Sequence, residues 1–109
     1  MSRKAEILVS VDLDGDKLPT KIEWQATEGG HDEPLPCQAF MLAVWDADRQ
    51  ETAAIDLWTK DTTIDDMNRH FYQVFHKMAD TYLRATNNPE VAQLIHEFGD
   101  GFGRTLGLR

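Results

Sequence analysis

Four acidic residues near the start of the chain have nearly the spacing of a calcium-binding loop. Positions 1, 3, 5 and 12 of such a loop are Asp12, Asp14, Asp16 and Glu23. The loop needs glycine at position 6 for its sharp turn, but Lys17 stands there and its charge opposes a cation. We therefore interpret these residues as a solvated turn between two strands, and we predict no metal site.

The histidines and the single cysteine do not form a recognisable site in the sequence. His70 and His76 are six residues apart, so on one helix they point about 120° away from each other and cannot share a metal ion. Asp66 and Asp80, each four residues from one of them, explain both histidines as ordinary surface pairs. Four potential metal ligands lie close together in the sequence, but their spacing matches no standard metal site. They are His31, Asp32, Glu33 and Cys37.

Nucleophilic and nucleotide chemistry have equally little support in the sequence. Ser2 and Ser10 lack a nucleophile-elbow context, and Cys37 has no catalytic signature around it. The segment from Gly99 to Gly103 lacks the glycine spacing of a nucleotide-binding loop and follows a helical pattern, not a strand. The sequence therefore predicts no catalytic residue, no cofactor-binding residue and no cofactor.

The composition restricts the class of protein further. A chain of 109 residues and 12.4 kDa predicts one domain. The net charge of -8 repels phosphate backbones, so we expect no nucleic-acid partner. No run approaches the roughly 20 apolar residues of a membrane span, so we expect no membrane insertion. A single cysteine agrees with a reducing compartment, and cytoplasmic localisation follows as the expectation.

The first half of the chain has the alternating apolar pattern of strands. Residues 7–13 and 18–26 alternate on either side of a turn and predict a hairpin, and Glu28–Pro36 predicts a surface loop. Residues 38–45 are apolar at nearly every position, which fits a buried strand or a short buried helix. We choose a strand, because a polar turn at 46–50 and an alternating run at 52–59 complete a second hairpin.

The apolar period changes from two to about three and a half at Thr62-Thr63, where we expect a helix to begin with Thr63 as its cap. Asn87-Asn88-Pro89 predicts the end of this helix and the start of a second, capped by Asn88. Gly99, Gly103 and Gly107 form a bare strip on the second helix. We interpret that strip as a fraying helix end, in preference to close packing against another backbone.

These elements predict an α+β fold, with a four-stranded antiparallel sheet of two hairpins and two C-terminal helices packed on one face. Two helices can cover only one side of the sheet. Met41, Trp45 and Trp58 cannot all lie beneath them, and an exposed apolar patch usually marks a contact surface. We therefore predict a homodimer formed through this face.

Three segments resemble a known family in their order and spacing. They are Val44-Trp45-Asp46, then the run from Ile55 through Leu57-Trp58-Thr59-Lys60-Asp61, and Met78-Ala79-Asp80-Thr81-Tyr82 with the residues that follow to Thr86. Together they resemble the GldC family of gliding-motility-associated proteins from Bacteroidota and their relatives. The resemblance spans almost the whole chain as a single GldC-like domain, residues 1–109. It implies a small soluble accessory protein linked to gliding motility and supplies no reaction or cofactor.

The sequence therefore favours a non-enzymatic protein-interaction module whose protein partner is not identified. Its candidate interaction surface is Met41, Trp45, Trp58 and Tyr82. The alternative is a small ligand-binding protein or enzyme that uses a carboxylate cluster around Asp56, Asp61 and Asp80.

Overall fold

The computed structural model describes residues 3–28 and 31–108, and the side chains of all of these except His31 and Asp32. The chain divides into two compact units. We call Met1–Thr62 the strand unit and Thr63–Arg109 the helical unit. The expected α+β class is confirmed, because strands occupy the first unit and helices the second. Our expectation that the helices cover one sheet face stays a prediction.

The described residues of the strand unit form five strands, and the expected single sheet of four is wrong. The strands are β1 Ile7–Leu13, β2 Pro19–Ala26, β3 His31–Cys37, β4 Ala39–Asp46 and β5 Glu51–Trp58. A three-stranded sheet has the order β1-β2-β3, and β4 pairs with β5 in a sheet of two strands. The two hairpins do not merge, because β3 takes the free edge of β2.

Strand β3 lies where we predicted a surface loop, from Glu28 to Pro36, and that prediction is wrong. The strand pairs with β2 through Ile22↔Cys37 and Trp24↔Leu35. Pro34 and Pro36 suggested a loop because proline cannot donate to a ladder. They are two residues apart and so share one side of the strand, and β3 is an edge strand, with no further strand beside it among the described residues. Residues 29–30 of the predicted loop lie outside the described residues.

The second hairpin is confirmed, and the predicted strand at residues 38–45 is a strand from Ala39 onward and not a helix. Strand β4 pairs with β5 in unbroken register from Ala39↔Trp58 to Asp46↔Glu51. In the turn, Asp46 Oδ1 accepts the amides of Asp48 and Arg49 at 3.1 and 3.2 Å. Because this side chain satisfies the turn amides, the turn has an acidic and solvated tip.

The helical unit consists of α1, Ile64–Thr86, and α2, Pro89–Leu106. The predicted caps are confirmed: the Thr63 side chain accepts the amide of Asp66, and the Asn88 side chain accepts the amide of Val91. Asn87 ends α1 in the left-handed region at φ 55°. The two helices therefore form a hairpin whose boundaries are set by local side-chain chemistry.

The contact between the helices is made by small residues, and the predicted fraying of α2 is wrong. Ala79 and Ala92 are buried, as are Gly99 and Gly103. A Cβ at Gly103 would lie 2.6 Å from Tyr72 Cε1, and one at Gly99 would lie 3.0 Å from His76 Nε2. The helix continues to Leu106, so these glycines serve close packing of α1 aromatic rings against the α2 backbone.

Replacing Gly103 by alanine is expected to destabilise the helical unit, in spite of the higher helix propensity of alanine. The new methyl group must displace the Tyr72 ring, which costs about 1 to 3 kcal/mol of unfolding free energy. Gly101→Ala is the matched control, because its Cβ meets only the end of Arg104 at 3.6 Å. That variant is expected to gain up to about 1 kcal/mol. Urea unfolding followed by circular dichroism measures both, and equal effects of the two variants would contradict close packing.

Candidate functional site

The residues predicted for the interaction surface on the second hairpin share one face. Directly paired residues lie on the same side of a sheet, and Trp58 pairs with Ala39. Because side chains alternate along β4, Ala39, Met41 and Trp45 lie on one side, and Trp58 lies there with them. Their exposed fractions are 44%, 62% and 54%. This is a large apolar area in contact with water on one side of a two-stranded sheet.

The opposite face of the same hairpin is also exposed. Leu42, Val44 and Ile55 lie there and are 44%, 49% and 54% exposed. Within the strand unit the hairpin therefore presents apolar side chains on both sides, and in the described part of the chain neither edge of this sheet has a further strand.

Tyr82, the fourth residue of the predicted surface, lies in α1 of the helical unit and is half-buried. Its carbonyl accepts the hydroxyl of Thr86 at 2.8 Å, near the end of the helix. Its inclusion in the interaction surface stays a prediction.

The Trp58-Thr59-Lys60-Asp61 segment fixes the end of β5 by hydrogen bonds. The Thr59 hydroxyl is buried and donates to Asp61 Oδ1 at 2.7 Å. The Lys60 amide donates to the carbonyl of Pro19 at 3.0 Å, and the Thr59 amide donates to the carbonyl of Gln38 at 2.8 Å. These bonds tie the end of β5 to the starts of β2 and β4, so the segment positions Trp58.

Lys60 also binds the acidic turn whose spacing resembles a calcium loop. Its Nζ donates to Asp14 Oδ2 at 2.8 Å, and Asp14 Oδ1 accepts the amides of Asp16 and Leu18 at 2.8 and 3.0 Å. Both carboxylate oxygens are therefore engaged with donors. The hydrogen bond from Lys60 and the backbone amides lower the pKa of Asp14 from 3.8 to about 2. Sequence reasoning missed this role of Lys60, because the two residues are 46 positions apart.

The carboxylates of the alternative site have different partners in this structure. Asp56 borders an open groove of about 320 Å³, whose other lining residues are Leu18, Pro19, Leu57, Trp58 and Lys60. Asp61 is held by Thr59. Asp80 belongs to the helical unit, where its Oδ1 lies 3.2 Å from His96 Nε2. The alternative activity stays a prediction.

Cys37 is half-buried at the end of β3, and burial raises the pKa of its thiol. Nucleophilic cysteines have a lowered pKa, so this shift is in the opposite direction. The side chains of His31 and Asp32, its neighbours in the predicted acidic segment, lie outside the described part of the chain.

The histidines of the helical unit are arranged differently from our expectation. His70 Nε2 is buried and has no hydrogen-bond partner in this structure. His76 Nε2 lies 3.4 Å from Asp100 Oδ1, and its Nδ1 lies 2.7 Å from Nδ1 of His96. The carboxylate that we expected beside His76, that of Asp80, contacts His96 instead. Sequence reasoning considered only histidines on one helix and therefore missed His96.

Comparison with known proteins resolves the family. The model of the GldC-like family, described as gliding motility-associated protein GldC-like, matches residues 19–108. The chain belongs to the GldC-like family. The match covers β2, the second hairpin and both helices, and it confirms the resemblance seen in the sequence. No curated protein and no solved structure matches the chain.

Membership of the GldC-like family associates the chain with gliding motility. Neither α1 nor α2 has a stretch that is long and apolar enough to cross a lipid bilayer. The main surface feature described for this GldC-like chain is the exposed β4–β5 hairpin. The segment from Thr59 to Asp61 holds the end of β5 in place by hydrogen bonds.

Breaking the bond between Lys60 and Asp14 is expected to make the protein less stable at neutral pH and to change its acid unfolding. A lowered pKa means that the Asp14 carboxylate contributes stability above pH 3.8, and that this contribution is lost as the pH falls through about 2. Lys60→Met should therefore lower the unfolding temperature at pH 7, with a smaller difference from wild type at pH 2. Thermal unfolding across this range measures it.

Lys77→Met, which removes an exposed lysine from the helical unit, is the charge-matched control. NMR titration of the Asp14 carboxyl gives a second measurement, since its pKa should rise toward 3.8 in Lys60→Met. An unchanged Asp14 titration in that variant would contradict the assigned cause.

Proposed function

We propose that this GldC-like protein is a non-enzymatic protein-interaction module of the gliding apparatus, acting in the cytoplasm. Its contact surface is the β4–β5 hairpin, with Met41, Trp45 and Trp58 on one face. The observation that carries the proposal is the exposure of large apolar side chains on both faces of one hairpin. Exposed apolar patches of this kind mark sites of protein association.

The hairpin also needs a partner for its own stability. A two-stranded sheet is marginally stable in water unless a third strand or a helix covers it. Strands β4 and β5 each have an edge without a neighbouring strand in the described part of the chain. Exposed edges with apolar side chains pair readily with other strands. Association would therefore stabilise the element that forms the contact.

We propose that the first occupant of this surface is a second copy of the chain. Met41, Trp45 and Trp58 lie together on one exposed face of the hairpin, and a symmetric interface can bury that face. A two-fold axis brings the same patch of both copies together, so the large apolar side chains of one copy meet those of the other, while Asp56 lies on the same face. A further motility protein would then bind the assembled dimer.

Met41→Asp is expected to convert a dimer to a monomer. The substitution places a charge at the centre of the apolar face and directly opposite Asp56, so each copy would have to bury two carboxylates. Light scattering coupled to gel filtration, over a range from micromolar to hundreds of micromolar, measures the mass. Gln93→Glu, which adds the same charge at an exposed position of α2, should leave the dimer intact. A monomeric wild type at the highest concentration would contradict self-association.

Trp58→Ala is expected to remove most capture of the motility partner, because large aromatic residues supply a major part of binding energy at interfaces and the partner binds the dimer that this face forms. Affinity purification from the native host, followed by mass spectrometry, compares wild type and variant after circular dichroism has shown that both are folded. Cys37→Ala and His70→Ala should capture as much as wild type. Loss of cellular function in Cys37→Ala, with full capture by folded Trp58→Ala, would instead indicate an enzyme.

A further inference from the structure

Four side chains of the helical unit form one line, in the order Asp100, His76, His96 and Asp80. His76 and Asp80 lie in α1, and His96 and Asp100 lie in α2. Nδ1 of His76 is 2.7 Å from Nδ1 of His96. At the ends of the line, His76 Nε2 lies 3.4 Å from Asp100 Oδ1, and His96 Nε2 lies 3.2 Å from Asp80 Oδ1. Each of the three contacts therefore joins one helix to the other.

The two central nitrogens point directly at each other. The ring centroids are 5.0 Å apart, which is about the sum of the 2.7 Å contact and the distance from each ring centre to its nitrogen. The separation of the nitrogens is that of a hydrogen bond, which needs one hydrogen between the two atoms. Without that hydrogen, two lone pairs would face each other and repel. The contact therefore defines a site for a single proton.

The line needs more hydrogens than two neutral rings carry. An ionised carboxylate only accepts hydrogen bonds, so Nε2 of His76 and Nε2 of His96 each need a hydrogen to interact favourably with an aspartate. The central contact needs a third hydrogen. Two neutral imidazoles carry two hydrogens on their ring nitrogens, and two imidazolium ions carry four. Only a pair with one added proton has the three that the line needs.

Every other protonation state of the pair loses a contact. Two neutral rings either leave the central nitrogens without a hydrogen or turn an unprotonated Nε2 toward its carboxylate. Two imidazolium rings place two hydrogens between nitrogens that are 2.7 Å apart, where there is space for one. The geometry therefore favours uptake of the first proton and opposes uptake of the second.

Groups from both helices surround the pair. Asp80 and Tyr72 face it from α1, and Asp100 faces it from α2. The two carboxylates favour a positive charge on the rings. A Cβ at Gly99 would lie 3.0 Å from His76 Nε2, so glycine at this position leaves room for the ring. The histidine side chains are 26% and 32% exposed, so a proton from solvent reaches them.

We propose that His76 and His96 share one proton, and that this proton makes the line a pH-sensitive clasp between α1 and α2. The proton comes from solvent and lies between the two Nδ1 atoms, while each Nε2 keeps its contact with an aspartate. Release of the proton, or entry of a second one, breaks a contact between the helices. Because histidine changes its charge in the physiological pH range, the stability of the helical unit responds to pH there.

The direction of this pH dependence follows from the number of protons bound in the folded and unfolded states. In the unfolded chain the two histidines bind protons independently and together hold one proton at about pH 6.5. The folded pair holds one proton above and below that pH. Above it the folded state binds more protons, so stability falls as the pH rises. Below it the unfolded state binds more protons, so stability falls as the pH drops. The pair therefore contributes most stability near about pH 6.5.

Thermal unfolding of the full chain between about pH 5 and about pH 8.5, followed by circular dichroism, tests the clasp. His96→Gln removes one of the two rings. Its loss of unfolding temperature relative to wild type should be greatest near about pH 6.5 and smaller by about half at both ends of the range. His70→Gln is the matched control, because it removes a histidine outside the line, and its difference from wild type should lack this maximum. A loss in His96→Gln that does not vary with pH would overturn the shared proton.

A second measurement uses wild type and does not depend on the folding of any variant. In protein with ¹⁵N-labelled histidine, NMR near about pH 6.5 should show a hydrogen on Nε2 of both His76 and His96. It should also show a coupling between the two Nδ1 atoms through the one hydrogen that they share. At about pH 5 the pair should still hold a single added proton. An Nε2 without a hydrogen in either ring near about pH 6.5, or two added protons at about pH 5, would overturn the proposal.

Discussion

Burial of apolar surface is the interaction on which the rest of this structure depends, and among the described residues only a few apolar side chains are fully buried. Ile22 is buried in the strand unit, and Ala79 and Ala92 are buried in the helical unit. Small folded units bury a modest fraction of the surface that their unfolded chains expose. The apolar side chains of the second hairpin therefore remain in water. The small buried core limits stability. It also leaves the apolar side chains of the hairpin exposed, and we propose that the protein acts through them.

In the helical unit, small residues at the centre allow the two helices to pack closely. Ala92, Gly99 and Gly103 let the α1 rings approach the α2 backbone. Each glycine weakens the helix by about 0.8 to 1 kcal/mol relative to alanine, and ring packing offsets that cost. The Phe75 ring contacts those of Phe98 and Phe102 with centroids 5.0 and 5.1 Å apart. Close approach of the helices also brings the histidine pair together.

The strand unit relies on polar bonds where apolar packing is thin. Lys60 and buried Thr59 join the end of β5 to the starts of β2 and β4, and Lys60 also holds Asp14 in the first turn. These residues belong to one of the segments in which the sequence resembles the GldC family. The family match over residues 19–108 confirms that resemblance. Their contacts in this structure are internal to the strand unit. They position Trp58, whose own side chain is exposed.

Local patterns in the sequence determined the helix boundaries and the second hairpin of this protein. The caps at Thr63 and Asn88, the left-handed Asn87 and the register of the second hairpin depend on residues near one another in the chain, so short-range chemistry fixes them. Alternation also placed Met41, Trp45 and Trp58 on one face. The tertiary structure alone decided that Pro34 and Pro36 lie in an edge strand, that Gly99 and Gly103 pack against rings, and that His96 meets His76. Each of these depends on a partner from another element, and local sequence does not specify which element will be adjacent.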